Sequence, residues 1–105
     1  MSEHHRIQRA EALAQHTAQF FARESNGTSL ITVTRADVSP DLKRATIYLS
    51  VLPESAEEAA LKFAKRNANE IRAFMRANGI GMPPFLDIVI DYGEKNRQEV
   101  DRRTL

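Results

Sequence analysis

The sequence predicts an α+β domain with helices on one face of a three-stranded sheet, in the order helix, strand, strand, helix, strand. Apolar residues occupy every second position over residues 31–34, 45–51 and 86–90, which is typical of strands that bury one face. About residues 6–23 and 55–78, apolar residues instead recur every three or four positions, as in amphipathic helices. Because each element has a single apolar face, packing in two layers buries all of them.

Length and composition indicate one globular domain over residues 1–105, with 42% hydrophobic and 28% charged residues. Residues 1–5 and about 94–105 are mostly polar or charged and lack an apolar stripe, and we expect them to be poorly ordered. The amino terminus lacks an apolar signal core, no apolar run could span a bilayer, and cysteine is absent. We therefore expect a cytoplasmic protein without disulfides or membrane contact.

A tight turn is expected between the first two strands, at Ser39, Pro40 and Asp41. Proline has the φ that position i+1 of a type I turn needs, and serine and aspartate side chains can bond nearby backbone amides. The chain should therefore reverse here and form an antiparallel hairpin over residues 30–51.

The first helix should bury one apolar stripe and end near residues 24–27, where Asn26 or Gly27 can form a left-handed cap. The stripe contains Ile7, Ala10, Ala14, Thr17 and Phe21, with Leu13 and Phe20 beside it.

The second helix has marked ends, because Ser55 and Glu58 have the spacing of a capping box and Asn78-Gly79 supplies a stop. Its apolar side contains Ala60, Phe63, Ala64, Ala68, Ile71, Phe74 and Met75, with Leu61 at the edge. Its opposite side is basic and contains Lys62, Lys65, Arg66, Arg72 and Arg76. This helix is therefore expected to have a core side and a basic side.

Two asparagines interrupt this pattern. Asn67 lies in the apolar arc and Asn69 follows, and asparagine is a poor helix former. One interpretation is a straight helix with a partly exposed amide, and the other is a kink or break near these residues.

A connector at residues 80–84 should not be helical, because Pro83 and Pro84 lack amide donors. It delivers the last strand, which begins at Phe85 and ends at Asp91 or Tyr92.

Residues suited to catalysis or metal binding are few. His4 and His5 lie in a polar terminus, and His16 has no acidic or histidine partner at helical spacing. Asp87 and Asp91 share a strand face but lie roughly 13 Å apart, too far for an acid/base pair. No phosphate-binding glycine motif is present. We expect neither an enzyme, nor a metal or cofactor, nor a small-molecule substrate.

The feature that indicates a binding function is the uneven distribution of charge along a chain whose net charge is +1. Residues 61–80 contain the five cations of the basic side against one acid, Glu70. Such a stripe is often only a solvated helix face, but it also matches the electrostatic footprint of a phosphate-binding protein. Arg6, Arg9, Lys43 and Arg44 could extend it, so all nine cations are candidate RNA-binding residues.

Aromatic side chains that could stack on bases are scarce. Tyr48, on the outer face of its strand, is one candidate, whereas Phe20, Phe21, Phe63 and Phe74 are expected in the core. RNA shape and backbone contacts should then outweigh base reading.

Residues 38–50, VSPDLKRATIYLS, resemble the V-S-P-D-L-x-x-A-x-V-Y-V-S signature of ribosome-binding factor A, a bacterial small-subunit assembly factor. Further matches are the closing P-x-L-x-F-x-x-D strand at Pro84, Leu86, Ile88 and Asp91, the I-R pair at Ile71-Arg72, and the opening R-x-x-R at Arg6 and Arg9. The resemblance implies a type II KH-like fold. It also implies binding to the small ribosomal subunit and its ribosomal RNA during late maturation, with roles in RNA 5′-end processing and cold adaptation.

The chain departs from the family pattern at two positions. The family breaks its second helix at Ala-x-Gly, which aligns with Asn67-Ala68-Asn69, and its arginine before the proline connector is Gly81 here. The Gly-x-x-Gly loop of other KH domains is missing, as in this family, so clamping of a single strand in the KH manner is not expected.

The sequence therefore favours a monomeric, non-catalytic ribosome assembly factor. The alternative is a protein-interaction module that uses an exposed sheet edge. Salt dependence would separate them, because phosphate binding weakens steeply with ionic strength.

Overall fold

The computed structural model describes residues 3–24 and 29–93. Its elements are helix α1 (Glu3–Glu24), strands β1 (Leu30–Val38) and β2 (Arg44–Leu52), a 3-10 turn (Glu54–Ala56), helices α2 (Glu57–Arg66) and α3 (Ala68–Ala77), and strand β3 (Phe85–Ile90). The predicted α+β order is confirmed, with the second helix divided in two. Among the described helices, none combines the length and apolar character that a bilayer span requires.

The predicted turn joins β1 to β2. The Leu42 amide donates to the Ser39 carbonyl at 2.9 Å, which places Pro40 and Asp41 at the centre of the turn. Leu42 then takes a φ of 63°, a left-handed conformation that is unfavourable for a branched side chain. The Asp41 carboxylate accepts hydrogen bonds from the Ser39 hydroxyl at 2.7 Å and the Lys43 amide at 3.0 Å. These bonds hold the backbone on either side of Leu42.

The same bonds make this turn sensitive to acid. The hydrogen bond from Ser39, followed by that from the Lys43 amide, lowers the pKa of Asp41 below its ordinary value of 3.8. Because the folded pKa is the lower one, the stabilisation is complete above pH 3.8 and is lost as the pH falls through the folded value. We expect Asp41→Asn to remove this contribution. The thermal unfolding temperature should then fall less steeply between pH 5 and pH 2 than it does in the wild type. An unchanged profile would contradict this role.

The sheet has the strand order β1-β2-β3, with β1 antiparallel and β3 parallel to β2. A bulge interrupts β1, so that Val33 lies opposite Leu49 but Arg35, not Thr34, lies opposite Tyr48. After this extra residue, Ala36 faces the helices again, and so does Val38. Both edge strands, β1 and β3, have one neighbour each among the described residues.

The core lies between the sheet and the three helices. Its fully buried side chains include Leu13, Thr17, Ile47, Leu49, Ile71 and Met75. Thr17 tolerates burial because its hydroxyl donates to the Leu13 carbonyl at 2.7 Å. The predicted stripe on α1 is correct at its buried residues Leu13, Thr17, Phe20 and Phe21 and at Ala10, which packs against the core, but Ala14 is only half-buried and Ile7 is 51% exposed.

The second helix is broken at Asn67, so the straight-helix interpretation is wrong. Asn67 has φ −99° and ψ 13°, and its side-chain amide donates to the Phe63 carbonyl at 2.8 Å. Its backbone amide is shared between the Phe63 and Ala64 carbonyls at 3.1 and 3.2 Å. The break therefore occurs without a left-handed residue, because asparagine bonds the backbone in competition with the regular helix.

Helix ends differ from expectation in two places. Helix α1 begins at Glu3, three residues before the predicted start at about Arg6. The predicted capping box of Ser55 and Glu58 is wrong. The N-cap of α2 is Ala56, without a side-chain hydrogen bond. The backbone amide of Ala56 instead closes the preceding 3-10 turn by donating to the Pro53 carbonyl at 2.9 Å. The predicted stop at residues 25–27 and the tail at residues 94–105 lie outside the described residues.

Candidate nucleic-acid interface

Helix α2 presents Lys62, Lys65 and Arg66 to solvent, opposite its buried Ala60 and Ala64. Lys62 pairs with Glu58 at 3.3 Å, and both side chains are more than two-thirds exposed, at 71% and 83%. Such an exposed pair contributes little to stability, so Lys62 can readily exchange Glu58 for another anion. Lys65 and Arg66 make no ion pair with any described residue.

Helix α3 contributes Arg76, which is exposed and also lacks an ion pair among the described residues. Arg72 differs, because it is half-buried and turned toward the connector, residues 80–84. Its Nε donates to the Pro84 carbonyl and its Nη2 to the Pro83 carbonyl, each at 3.0 Å. The expectation that Arg72 lies free on the basic side is therefore wrong: it fastens α3 to the connector.

A second group of cations meets at the connector. Arg9 of α1 donates from Nη2 to the Met82 carbonyl at 3.3 Å, and the Phe85 amide donates to the Lys43 carbonyl at 2.9 Å. These contacts place Arg9, Lys43 and Arg72 around one loop. Neither Arg9, Lys43 nor Arg72 forms an ion pair with a described carboxylate.

The remaining candidates are neutralised by carboxylates. Arg6 pairs with Glu3 at 3.0 Å, and Arg44 pairs with Asp87 at 3.2 Å while lying 5.0 Å from the centre of the Phe85 ring. The nine predicted cations thus divide into three sets: four exposed cations on α2 and α3, called the α2–α3 face below (Lys62, Lys65, Arg66, Arg76), a connector group (Arg9, Lys43, Arg72) and two paired arginines.

Arg35, on the outer face of the sheet, is a neighbour of Tyr48 that the sequence did not predict. The Arg35 guanidinium lies 3.8 Å from the centre of the Tyr48 ring and pairs with Asp37 at 3.0 Å. The tyrosine face proposed as a base platform is therefore covered by an arginine. Arg35 lies opposite Tyr48 because of the β1 bulge, and no residue pattern in that strand predicts the bulge.

The described residues offer little for catalysis. They contain no group of three or more His, Asp or Glu side chains placed to hold a metal. A cleft of about 560 Å³ between the end of α1, the start of β1 and α2 is lined mainly by alanine, phenylalanine and aliphatic side chains. Glu24 and Arg66 are the charged residues among its described lining. Asp91 directly follows β3, and its carboxylate accepts a hydrogen bond from the Thr34 hydroxyl at 2.6 Å.

A sequence model of the ribosome-binding factor A family matches residues 5–104, nearly the whole chain. The chain belongs to the ribosome-binding factor A family. A curated family member from Chlamydia pneumoniae is 38% identical over 77 residues, which cover 68% of this chain and 64% of that protein.

Solved ribosome-binding factor A structures share the fold. The crystal structure of the Thermus thermophilus protein superposes with a TM-score of 0.72 at 20% identity, over 81% of this chain and 93% of that one. A homology model of the Thermus thermophilus factor, fitted into a cryo-EM map of a 30S complex, gives a TM-score of 0.62 at 27% identity, over 85% and 93% of the two chains. The α+β fold of this chain is therefore shared with solved structures of the family.

Proposed function

We propose that this member of the ribosome-binding factor A family is a non-catalytic assembly factor that binds the small ribosomal subunit through its ribosomal RNA. Family membership and the 30S complex of the Thermus thermophilus relative support the choice of partner. The proposal includes action as a monomer in the cytoplasm, late in maturation, with support for RNA 5′-end processing and for growth in the cold.

The observation that carries the RNA contact is the unneutralised charge of Lys65, Arg66 and Arg76. All three are exposed on helices, and no described carboxylate pairs with them. Flexible exposed cations bind phosphate oxygens and release condensed counterions from RNA. The α2–α3 face therefore has the chemistry of a surface that binds an RNA backbone.

Such a factor acts by differential binding. If it binds one conformation of immature ribosomal RNA more tightly than the others, it raises the population of that conformation. It then dissociates when the mature surface no longer fits. The described residues need supply only shape and charge for this mechanism, without a reacting group.

Sedimentation with free small subunits and with intact ribosomes tests the proposal. We expect the protein to co-sediment with free small subunits, and its apparent affinity to fall at least about tenfold between roughly 50 and 200 mM salt. Equal recovery with intact ribosomes, or binding that does not change with salt, would contradict an RNA-backbone contact on immature subunits.

The protein-interaction module is the second candidate, because β3 forms one edge of the described sheet. Phe85 and Tyr92, each 56% exposed, leave apolar surface beside that edge. Strand addition relies on backbone hydrogen bonds and depends weakly on salt. The same salt series therefore decides between the two functions.

A further inference from the structure

The connector holds one apolar side chain in solvent. Met82 is 83% exposed, whereas Ile80 before it is 7% exposed and Pro83 and Pro84 after it are buried. Single exposed apolar side chains are common on protein surfaces. Met82 differs because its backbone is fixed and its surroundings are cationic.

Two arginines fix the backbone beneath Met82. Three successive carbonyls, those of Met82, Pro83 and Pro84, accept hydrogen bonds from Arg9 and Arg72 at 3.0 to 3.3 Å. On the amino-terminal side, the Ile80 amide donates to the Met75 carbonyl at 3.0 Å. The loop is therefore preorganised, and a partner that contacts Met82 does not have to order it.

The charge around Met82 selects the partner. Carbonyl groups do not neutralise Arg9 and Arg72, and neither arginine pairs with a described carboxylate. Lys43 adds a third cation beside the connector. A partner with negative charge next to flat apolar surface fits this arrangement, and nucleic acid has both, in its phosphates and its bases.

We propose that Met82 packs against the face of an unpaired base of ribosomal RNA while Arg9 and Lys43 contact the phosphates around it and Arg72 holds the connector in place. Methionine suits this contact because its thioether is polarizable and packs well against aromatic rings. Apolar side chains, methionine among them, also insert at base steps in other nucleic-acid complexes. The inference rests on the proposed RNA binding and adds a base-contacting residue to it.

The test compares wild type with Met82→Ala on two RNA hairpins, one with a single unpaired adenine in its stem and one fully paired. Wild type should prefer the hairpin with the unpaired base, and Met82→Ala should bind that hairpin roughly tenfold more weakly. The slope of log affinity against log salt should stay the same, because no phosphate contact is removed. Leu52→Ala is the matched control, since Leu52 is an exposed apolar residue, 59% accessible, at the far end of β2.

If Met82→Ala binds each of the two hairpins as tightly as the wild type does, the base contact is overturned. The proposed function stays intact in that case, provided that variants without the charges of Lys65, Arg66 and Arg76 still bind RNA more weakly. Weaker binding of Met82→Ala to whole subunits, but not to purified small-subunit ribosomal RNA, would also overturn it, since the contact would then be with a ribosomal protein. If cation variants too bind normally, the proposed function itself fails.

Discussion

Replacing Lys65, Arg66 and Arg76 together by glutamate is expected to abolish co-sedimentation with small subunits at physiological salt while leaving the fold intact. Each cation is exposed and unpaired among the described residues, so the native fold loses no described ion pair. Loss of three phosphate contacts worth about 1 kcal/mol each reduces the affinity by roughly 100-fold, and repulsion of the new carboxylates adds to this. The slope of log affinity against log salt should fall by about three in the matching neutral variant, with glutamine at all three positions.

A charge-preserving variant controls for side-chain shape: Lys65→Arg, Arg66→Lys and Arg76→Lys should keep both the affinity and the salt slope near wild type. Circular dichroism and thermal unfolding of the glutamate variant should match the wild type. Normal co-sedimentation of that variant, with the fold intact, would remove the α2–α3 face as the docking surface.

The fold could be predicted from the sequence because its signals are local. Ser39, Pro40 and Asp41 determine the turn through bonds that span five residues at most. Strand alternation then fixes which face of β2 is buried. The break at Asn67 was left open by the sequence, because the pattern allowed a straight or a broken helix and Asn67-Ala68-Asn69 departs from the family's Ala-x-Gly.

The candidate site was predicted less well, because it depends on contacts between distant residues. The β1 bulge moves Arg35 opposite Tyr48, and a strict period-2 reading places Thr34 there instead. Likewise, helical periodicity places Arg72 on the outer arc but says nothing about the connector. Only the fold brings the Pro83 and Pro84 carbonyls within 3.0 Å of its guanidinium.

Arg72→Ala is expected to destabilise the domain by about 2–4 kcal/mol, because two hydrogen bonds from a charged donor are lost and two carbonyls beside buried prolines lose their partner. Chemical denaturation measures the change as a shift in midpoint. Arg76→Ala is the matched control, since it removes an exposed arginine from the same helix and should alter stability by less than about 0.5 kcal/mol.

Comparing Arg72→Lys with Arg72→Ala separates the structural role of Arg72 from direct RNA binding. Lysine at position 72 keeps the charge but lacks the planar fork that reaches two adjacent carbonyls, so Arg72→Lys should lose much of the stability that Arg72→Ala loses. If its charge alone mattered, Arg72→Lys would be as stable as the wild type and would bind RNA equally well. A stable Arg72→Ala variant with weakened RNA binding would return Arg72 to the basic side as an ordinary phosphate contact. Loss of stability in both variants, with the stability of Arg76→Ala unchanged, would show that Arg72 holds the connector in place.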